Sequence, residues 1–536
     1  MSVARSSAVM AAGTIVSRAS GFVRTALLAA AIGSQLHADV FNLANTIPNM
    51  LYILLAGGVF NAVLVPQLVR SMKNDSDGGQ AYADRIITLA AAFLAVVTAI
   101  LVIAAPLLLH LWLRGAWYAP DHAAELHSTI AFARWCLPQI FFYGMYVLIG
   151  QILNSRGSFG PMMWAPIANN IISIAVLVVY LLAFGTSNHG GYSAGQEALL
   201  GLGSTLGIVA QFVVLIPALR AAGFRYAPRW DFRGVGLSQT AKLGAWTILF
   251  VIVNQVAFLV ITGLASDGSA GGGAGYTVYS NAWLVVQVPH SIITVSLATA
   301  ILPMLSHHAA DDDAAAVKRQ LGRTMRNAMA LIVPIAALLP LLALSVARLL
   351  FGYGASSGTS TIDMYAPALA WFAPGLLLWT IQYLLLRAFY AYELNRQALY
   401  IQVVIAAVNI GAAIWLVRGV STADTAGALA LAYSLSYLVG TALSVTYLVR
   451  RLGGWSWVEP IRFGVRIALV SLFAAAVTYG VELLVGRGTT LLGALVTLAV
   501  AGGAGGIALV VCARLFRLTE ITSIVDSVKR RLPGLR

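Results

Sequence analysis

Charge is what this chain has least of. One residue in ten is Asp, Glu, Lys or Arg, where soluble domains carry about a quarter. Six in ten are hydrophobic, and the mean hydropathy is +0.84. A water-soluble domain is excluded; the composition is that of an all-α polytopic membrane protein. Cysteine is nearly absent. Cys136 and Cys512 both lie in apolar runs, so there is neither a disulfide framework nor a metal signature. His307 and His308 beside Asp311–Asp313 read as a solvated loop, and no metal site is expected. Gly271–Gly273 is followed by no Gly-Lys-Ser/Thr, so no nucleotide loop is expected. No Ser/His/Asp or Cys/His set stands out, which leaves no catalytic residue and argues against an enzyme. A cleaved signal peptide is also missing, because the first apolar run is long enough to be a true span.

What the chain does have is about 14 apolar runs of spanning length. They fall near 9–32, 39–69, 85–113, 126–153, 160–184, 197–220, 239–264, 276–304, 326–351, 365–387, 398–417, 425–449, 463–484 and 489–513. With the N-terminus inside, one set of connections holds Arg70, Lys73, Arg225, Arg229, Lys318, Arg319, Arg323, Arg450, Arg451 and the basic tail. The other set holds only Arg114, Arg418 and Arg487. Basic residues collect in short cytoplasmic loops. Both termini of this multi-pass chain are therefore expected in the cytoplasm, and nucleic acid is not an expected partner.

The runs repeat. Pro66 near the end of the second run answers Pro303 in the eighth; Trp135 and Pro138 in the fourth answer Trp371 and Pro374 in the tenth; Pro48 answers Pro289. All lie at an offset of roughly six spans, which preserves orientation. The reading is two six-helix lobes related by a parallel pseudo-twofold, 1–222 and 223–450, followed by two extra C-terminal helices in 451–513 and a basic tail, 514–536. In the tail Leu518, Ile521, Val525, Val528 and Leu532 share one helical face, which predicts a helix lying along the cytoplasmic leaflet. Gly21, Pro48, Gly57, Gly58 and Pro289 are candidate hinges, since Pro and Gly pairs bend helices.

The first two runs carry the unusual chemistry. Arg18 and Arg24 lie deep in the first, where each costs about 2.5–3.5 kcal/mol on insertion scales. Such residues persist where they face protein or water. Ser17, Ser20, Gly21 and Arg24 share a helical face, with Arg18 one position round; Asp39, Asn42, Thr46 and Asn49 form a stripe on the second run. Arginine presents a fixed, always-charged fork of donors. Two of them against the single acid Asp39 suit a phosphate or diphosphate. The candidate substrate-binding set is Arg18, Arg24, Asp39, Ser17, Asn42 and Asn49. With no nucleotide motif and no cofactor signature, an ion gradient or the membrane potential is the expected energy source.

These same residues carry a resemblance. SRASGFVRTALLA, ADVFNLANTIPNML, GGVFNAVLVPQL, ILNSRGSFGPMMWAPIANN, VPHSIITVSLATAILPMLS and AFYAYELNRQAL resemble the MviN/MurJ family, the lipid II flippases of peptidoglycan synthesis, over the first twelve runs. The resemblance implies a MATE-like fold of the multidrug/oligosaccharidyl-lipid/polysaccharide exporter superfamily. It implies two lobes around a cavity, a lipid-tail groove in the last two spans, and residence in a bacterial plasma membrane. It implies a lipid-linked disaccharide-peptide carried across by alternating access, with membrane lipids and other cell-wall synthesis proteins as partners. The family's cavity arginines fall on Arg18 and Arg24 and its acid on Asp39. Two further family arginines are missing, for Tyr52 and Ala282 stand there. A flippase for another polyprenyl-linked oligosaccharide and a cation-coupled drug antiporter of the same fold are the alternatives; the latter would keep acids in its cavity.

Overall fold

The computed structural model describes residues 3–54, 68, 71, 75, 77–158, 160–187, 190–231, 237–523 and 526, with backbone alone over 3–11 and 237–244. It is all-helical, with no strand among the described residues. In chain order the long helices are α1 (Val3–Ile32), α2 (Leu36–Ile53), α3 (Gln80–Ile103), α4 (Ala123–Cys136), α5 (Gln139–Ser155), α6 (Gly160–Phe184), α7 (Ala194–Val213) and α8 (Leu237–Ala270). They continue as α9 (Tyr276–Pro289), α10 (Ser296–Ala310), α11 (Ala314–Phe351), α12 (Tyr365–Ala391), α13 (Asn395–Val417), α14 (Thr425–Arg451), α15 (Val458–Val485), α16 (Leu491–Thr497) and α17 (Gly503–Leu515). Thirteen stretches among the described residues are long and apolar enough to cross a membrane. The second expected run is described only in part, and the proposed hinge pair Gly57–Gly58 lies outside the described residues. Outward apolar side chains such as Leu484, Leu182, Ile103 and Trp415 are 73–87% exposed, as expected where the solvent is lipid.

Proline acts at specific places. Pro138 separates α4 from α5, while Pro48, Pro334, Pro340 and Pro374 sit inside continuous helices. Pro289 ends α9, and the next turn, His290–Val295, widens to a π-helix. The helix α11 runs 38 residues, about 57 Å at 1.5 Å per residue. Asp313 caps it, its Oδ1 accepting the Ala316 N–H at 2.8 Å. Lys318, Arg319 and Arg323 therefore stand on a helix, where the sequence reading placed a loop. An exposed His307–Asp311 pair at 3.0 Å lies just before it.

The chain divides into two compact units. The first holds the chain through Gly271 plus Tyr353–Ser356; the second holds Gly272–Gly352 and Ser357 onward. The boundary thus follows α8, which the repeat reading grouped with the second lobe. The reason is a ladder of hydrogen bonds: Trp112 Nε1 to Thr262, Trp117 Nε1 to the Ser266 carbonyl at 3.0 Å, and His122 Nε2 with the Ala270 carbonyl at 3.0 Å. The short Tyr353–Ser356 excursion joins the first unit because Gly354, at φ +50°, brings its backbone against the Ala30 carbonyl with no room for a Cβ. Ser34 and Ser356 hydroxyls meet there at 2.6 Å.

The tail differs from expectation as far as it is described. Leu518 and Ile521 are buried, packed in the second unit with Ala330, Ile467, Val470, Cys512 and Ala513. Their apolar face turns toward protein instead of the leaflet, since α11 and α15 leave a matching apolar surface there. Val525, Val528 and Leu532 lie outside the described residues.

Candidate functional site

The site is built on α1, α2 and α5 of the first unit. Helix α1 ends where Gly33, at φ +81°, closes the last turn. It packs along α6 through one amide. Asn170 Nδ2 donates to the Ser17 carbonyl at 3.0 Å and to Ser20 Oγ at 2.8 Å. Polar side chains that bond across helices act as glue where water is absent. The Ser17–Ser20–Gly21 face, read from sequence as cavity lining, thus spends its carbonyl and a hydroxyl on helix packing. Gly21 lies within the unbroken helix, and a Cβ there would meet Asn170 at an ordinary 3.8 Å.

The two arginines have different settings. Arg18 is exposed and Arg24 half-buried. Arg24 lies within electrostatic reach of the Tyr143 hydroxyl on α5. Tyr143 in turn packs against Tyr52, the rings 4.7 Å apart and tilted. Tyr52, standing where a family arginine was expected, so joins a cluster of one guanidinium and two phenols. Such a cluster offers charged and neutral donors to one anion. Sequence reasoning missed Tyr143, which follows Phe141 and Phe142 in an aromatic stretch of α5 where nothing in the residue order singles it out.

Asp39 is fully buried in the first turn of α2, where an acid suits the helix N-terminus. Its Oδ2 accepts from Ser269 Oγ on α8 at 2.6 Å. Nothing in the residue order points to this partner, 230 residues away. Further along α2, Asn42 is half-buried and gives its carbonyl to Thr46 Oγ1 at 2.7 Å, and Asn49 is exposed. Gln255 Nε2 donates to the Met50 carbonyl at 2.6 Å, and Gln139 Nε2 to Asn45 Oδ1 at 2.9 Å. Pro48 is buried in a helix that stays continuous through it.

In the second unit the stretch at the repeat offset is aromatic. Ala282 is fully buried, and Asn281 Nδ2 donates to the Tyr365 hydroxyl at 3.0 Å. His290 stacks on Trp379 with ring planes 11° apart, and its Nδ1 lies 3.2 Å from Thr380 Oγ1. Trp283, Phe372 and Tyr433 continue the cluster. Among the described residues no group of three or more His, Cys, Asp or Glu is placed to hold a metal.

The fold and the buried charge together define a multi-pass membrane transporter architecture. A solved structure titled as an inward-facing multidrug resistance MATE family transporter of the MOP superfamily matches with a TM-score of 0.63, at 15% identity over 82% of this chain and 95% of that one. A structure of lipid II flippase MurJ in an inward closed conformation matches with a TM-score of 0.74, at 17% identity over 96% of this chain and 99% of that one. In sequence, the probable lipid II flippase MurJ of Rhizobium meliloti is 25% identical over 89% of this chain and 86% of its own length. The corresponding protein of Haemophilus influenzae is 29% identical over 55% of this chain and 56% of its own. The family described as lipid II flippase MurJ matches residues 28–498. The chain belongs to that family.

Proposed function

We propose that this protein moves lipid II, the undecaprenyl-diphosphate-linked peptidoglycan precursor, from the cytoplasmic to the outer leaflet of the bacterial plasma membrane by alternating access. The observation that supports it is Arg24, an intramembrane guanidinium half-buried within reach of Tyr143, whose ring packs on Tyr52, with Arg18 less than two turns away on α1. A diphosphate is the part of such a substrate that hydrocarbon rejects most strongly, and arginine forks satisfy it bidentately. Arg18 and Arg24 bind the diphosphate; the Ser17 hydroxyl, Asn42 and Asn49 supply neutral contacts. Asp39, tied to Ser269, positions α2 against α8. Helices α1 and α2 move about Gly21 and Pro48, and α9 about Pro289. The last two spans take the lipid tail. Both termini are cytoplasmic, and an ion gradient or the membrane potential drives the cycle. The chemistry is translocation, with no bond made or broken.

The test is growth of bacteria depleted of their own lipid II flippase and supplied with this chain. Growth with wild type, lost with Arg18→Ala or Arg24→Ala at equal membrane abundance, is the expected result. Lysis with the wild-type chain, or full growth with the double alanine variant, would overturn the reading. Cysteine labelling sharpens the topology. Gly272 is exposed and serves for the outer side; Ser269 does not, being 1% exposed. Asp312, also exposed, serves for the inner side.

A further inference from the structure

Beyond the aromatic cluster of the second unit stands one further intramembrane charge. Arg387 is half-buried about one turn before the C-terminal end of α12, and it is the one charged residue of that helix. Trp379, Tyr383, Arg387 and Tyr390 share a face of α12. That face meets the π-turn after Pro289, where His290 stacks on Trp379 and meets the Tyr383 ring edge-on at 5.1 Å. The guanidinium of Arg387 lies over the Tyr383 ring at 4.3 Å and over that of Tyr390 at 5.8 Å. Two rings, one of them fixed by His290, therefore hold the cation in place.

What this guanidinium lacks is an acceptor. A ring face attracts the cation but is a poor acceptor for its N–H donors. The Nε atom is buried without a hydrogen-bond partner, and Arg387 makes no ion pair among the described residues. Helices α9, α10, α11, α13 and α14 pack against α12 and contain no Asp or Glu. The acids at this end, Glu393 and Asp311–Asp313, are exposed and lie on the turns between helices. The remaining charges at this end, among them Lys318, Arg396, Arg450 and Arg451, are cations. A snorkelling arginine would carry its donors out to water, and a buried donor is nearly always bonded. The hydroxyls of Tyr383 and Tyr390 also have no hydrogen-bond partner among the described residues. One guanidinium and two phenols repeat the composition of Arg24, Tyr143 and Tyr52 in the first unit. Such a set suits a phosphate, whose tetrahedral oxygens accept from the fork and from the hydroxyls together.

We propose that Arg387, Tyr383 and Tyr390 form a second phosphate-binding site, within the second unit, which takes the phosphate of a membrane lipid from the leaflet at this end of α12. On the proposed orientation that is the cytoplasmic leaflet. The chemistry recognised is a lipid-borne phosphate, whether the diphosphate of the transported lipid or the phosphodiester of a resident phospholipid. The Arg387 fork takes two oxygens and the phenols complete the shell. The site needs only a lipid phosphate and stands without the transport reading.

The experiment is native mass spectrometry of the full-length detergent-solubilised protein, offered lipid II, phosphatidylglycerol or undecaprenol in separate runs. Arg24→Ala removes the guanidinium of the first site and serves as the background. It should still retain at least one of the two phosphate lipids. Adding Arg387→Gln should lower that retention by at least about tenfold, the scale of one hydrogen bond to a charged group. A loss for lipid II assigns the site to the transported lipid; a loss for phosphatidylglycerol assigns it to a resident phospholipid. Arg387→Lys in place of Arg387→Gln should recover little, because a point charge does not reproduce the fork. Tyr383→Phe with Tyr390→Phe keeps both rings and removes only the hydroxyls. This pair should lower retention about fivefold at an unchanged thermal midpoint, and it carries the test if Arg387→Gln fails to fold. Retention of neither phosphate lipid by Arg24→Ala, or equal retention of both after Arg387→Gln, would overturn the site. An equal loss of undecaprenol, which has no phosphate, would overturn phosphate as the group recognised. The readout is lipid retention and not flipping, so either proposal can fail without the other.

Discussion

The stretch around α1 and α2 and the stretch from α9 to α12 carry prolines at the repeat offset, yet they have opposite chemistry. The first keeps charge: Arg18, Arg24 and the buried Asp39. The second replaces it with rings: His290 on Trp379, then Trp283, Phe372 and Tyr433. The same proline behaves differently in each. The helix continues through Pro48, while Pro289 is followed by a π-turn. A π-turn loosens the backbone ladder and needs compensation. Here His290 Nδ1 and Thr294 Oγ1 both lie 3.2 Å from Thr380 Oγ1, and the His290 ring is clamped by Trp379. On the proposed site, the first stretch keeps its charge for an anion, while the second packs its rings against one another. Loss of a ring in the second stretch should act on stability, and loss of a guanidinium of α1 in the first on transport.

The largest effect on stability is expected from Phe372→Ala. Phe372 is fully buried against Tyr279, Trp283 and Tyr433. Truncating such a ring costs about 3–5 kcal/mol. A large drop in thermal midpoint and membrane abundance should follow, with flipping per folded molecule preserved. Transport lost at full abundance would break the division of labour between the two stretches.

Asp39→Ala comes next. It removes the acceptor of the Ser269 hydroxyl in a fully buried turn, at about 1.5–3 kcal/mol for a bond to a charged group. The thermal midpoint should fall, and Asp39→Asn should recover part of the loss because the amide oxygen still accepts. Identical midpoints for wild type and Asp39→Ala would remove Asp39 from the positioning of α2.

Much of this was legible before any coordinates. Spans, prolines that split them and deep arginines follow from hydropathy and composition, which act locally. What escaped is tertiary. Nothing in the order of residues announces that Asn170 bonds to Ser17 and Ser20, that Ser269 reaches Asp39, or that Trp112, Trp117 and His122 bind α8 to the first unit. The basic stretch at 314–325 read as a loop because charge interrupts hydropathy there, but Lys and Arg are good helix formers and Asp313 caps the turn. The tail's amphipathic face was legible; what covers it was not, because an apolar face packs as well on α15 as on lipid.

The smallest effect should be that of Ser17→Ala. Alanine keeps the carbonyl that Asn170 uses, so the fold is untouched. Only a neutral hydroxyl contact is lost, about 0.5–1.5 kcal/mol. Flipping should slow by no more than about tenfold. A complete block would mean that the hydroxyl carries a role beyond a neutral contact.

The central claim, that a guanidinium on α1 carries the diphosphate, is tested most directly at Arg24. In cells depleted of their own flippase, lipid II reaching the outer leaflet is measured by its access to a non-permeant headgroup reagent, for wild type, Arg24→Lys and Arg24→Ala at matched abundance. Wild type should restore access. Arg24→Ala should reduce it to the depleted background, and Arg24→Lys should recover little, because a point charge cannot reproduce the bidentate fork. Access with Arg24→Ala equal to wild type would contradict the account.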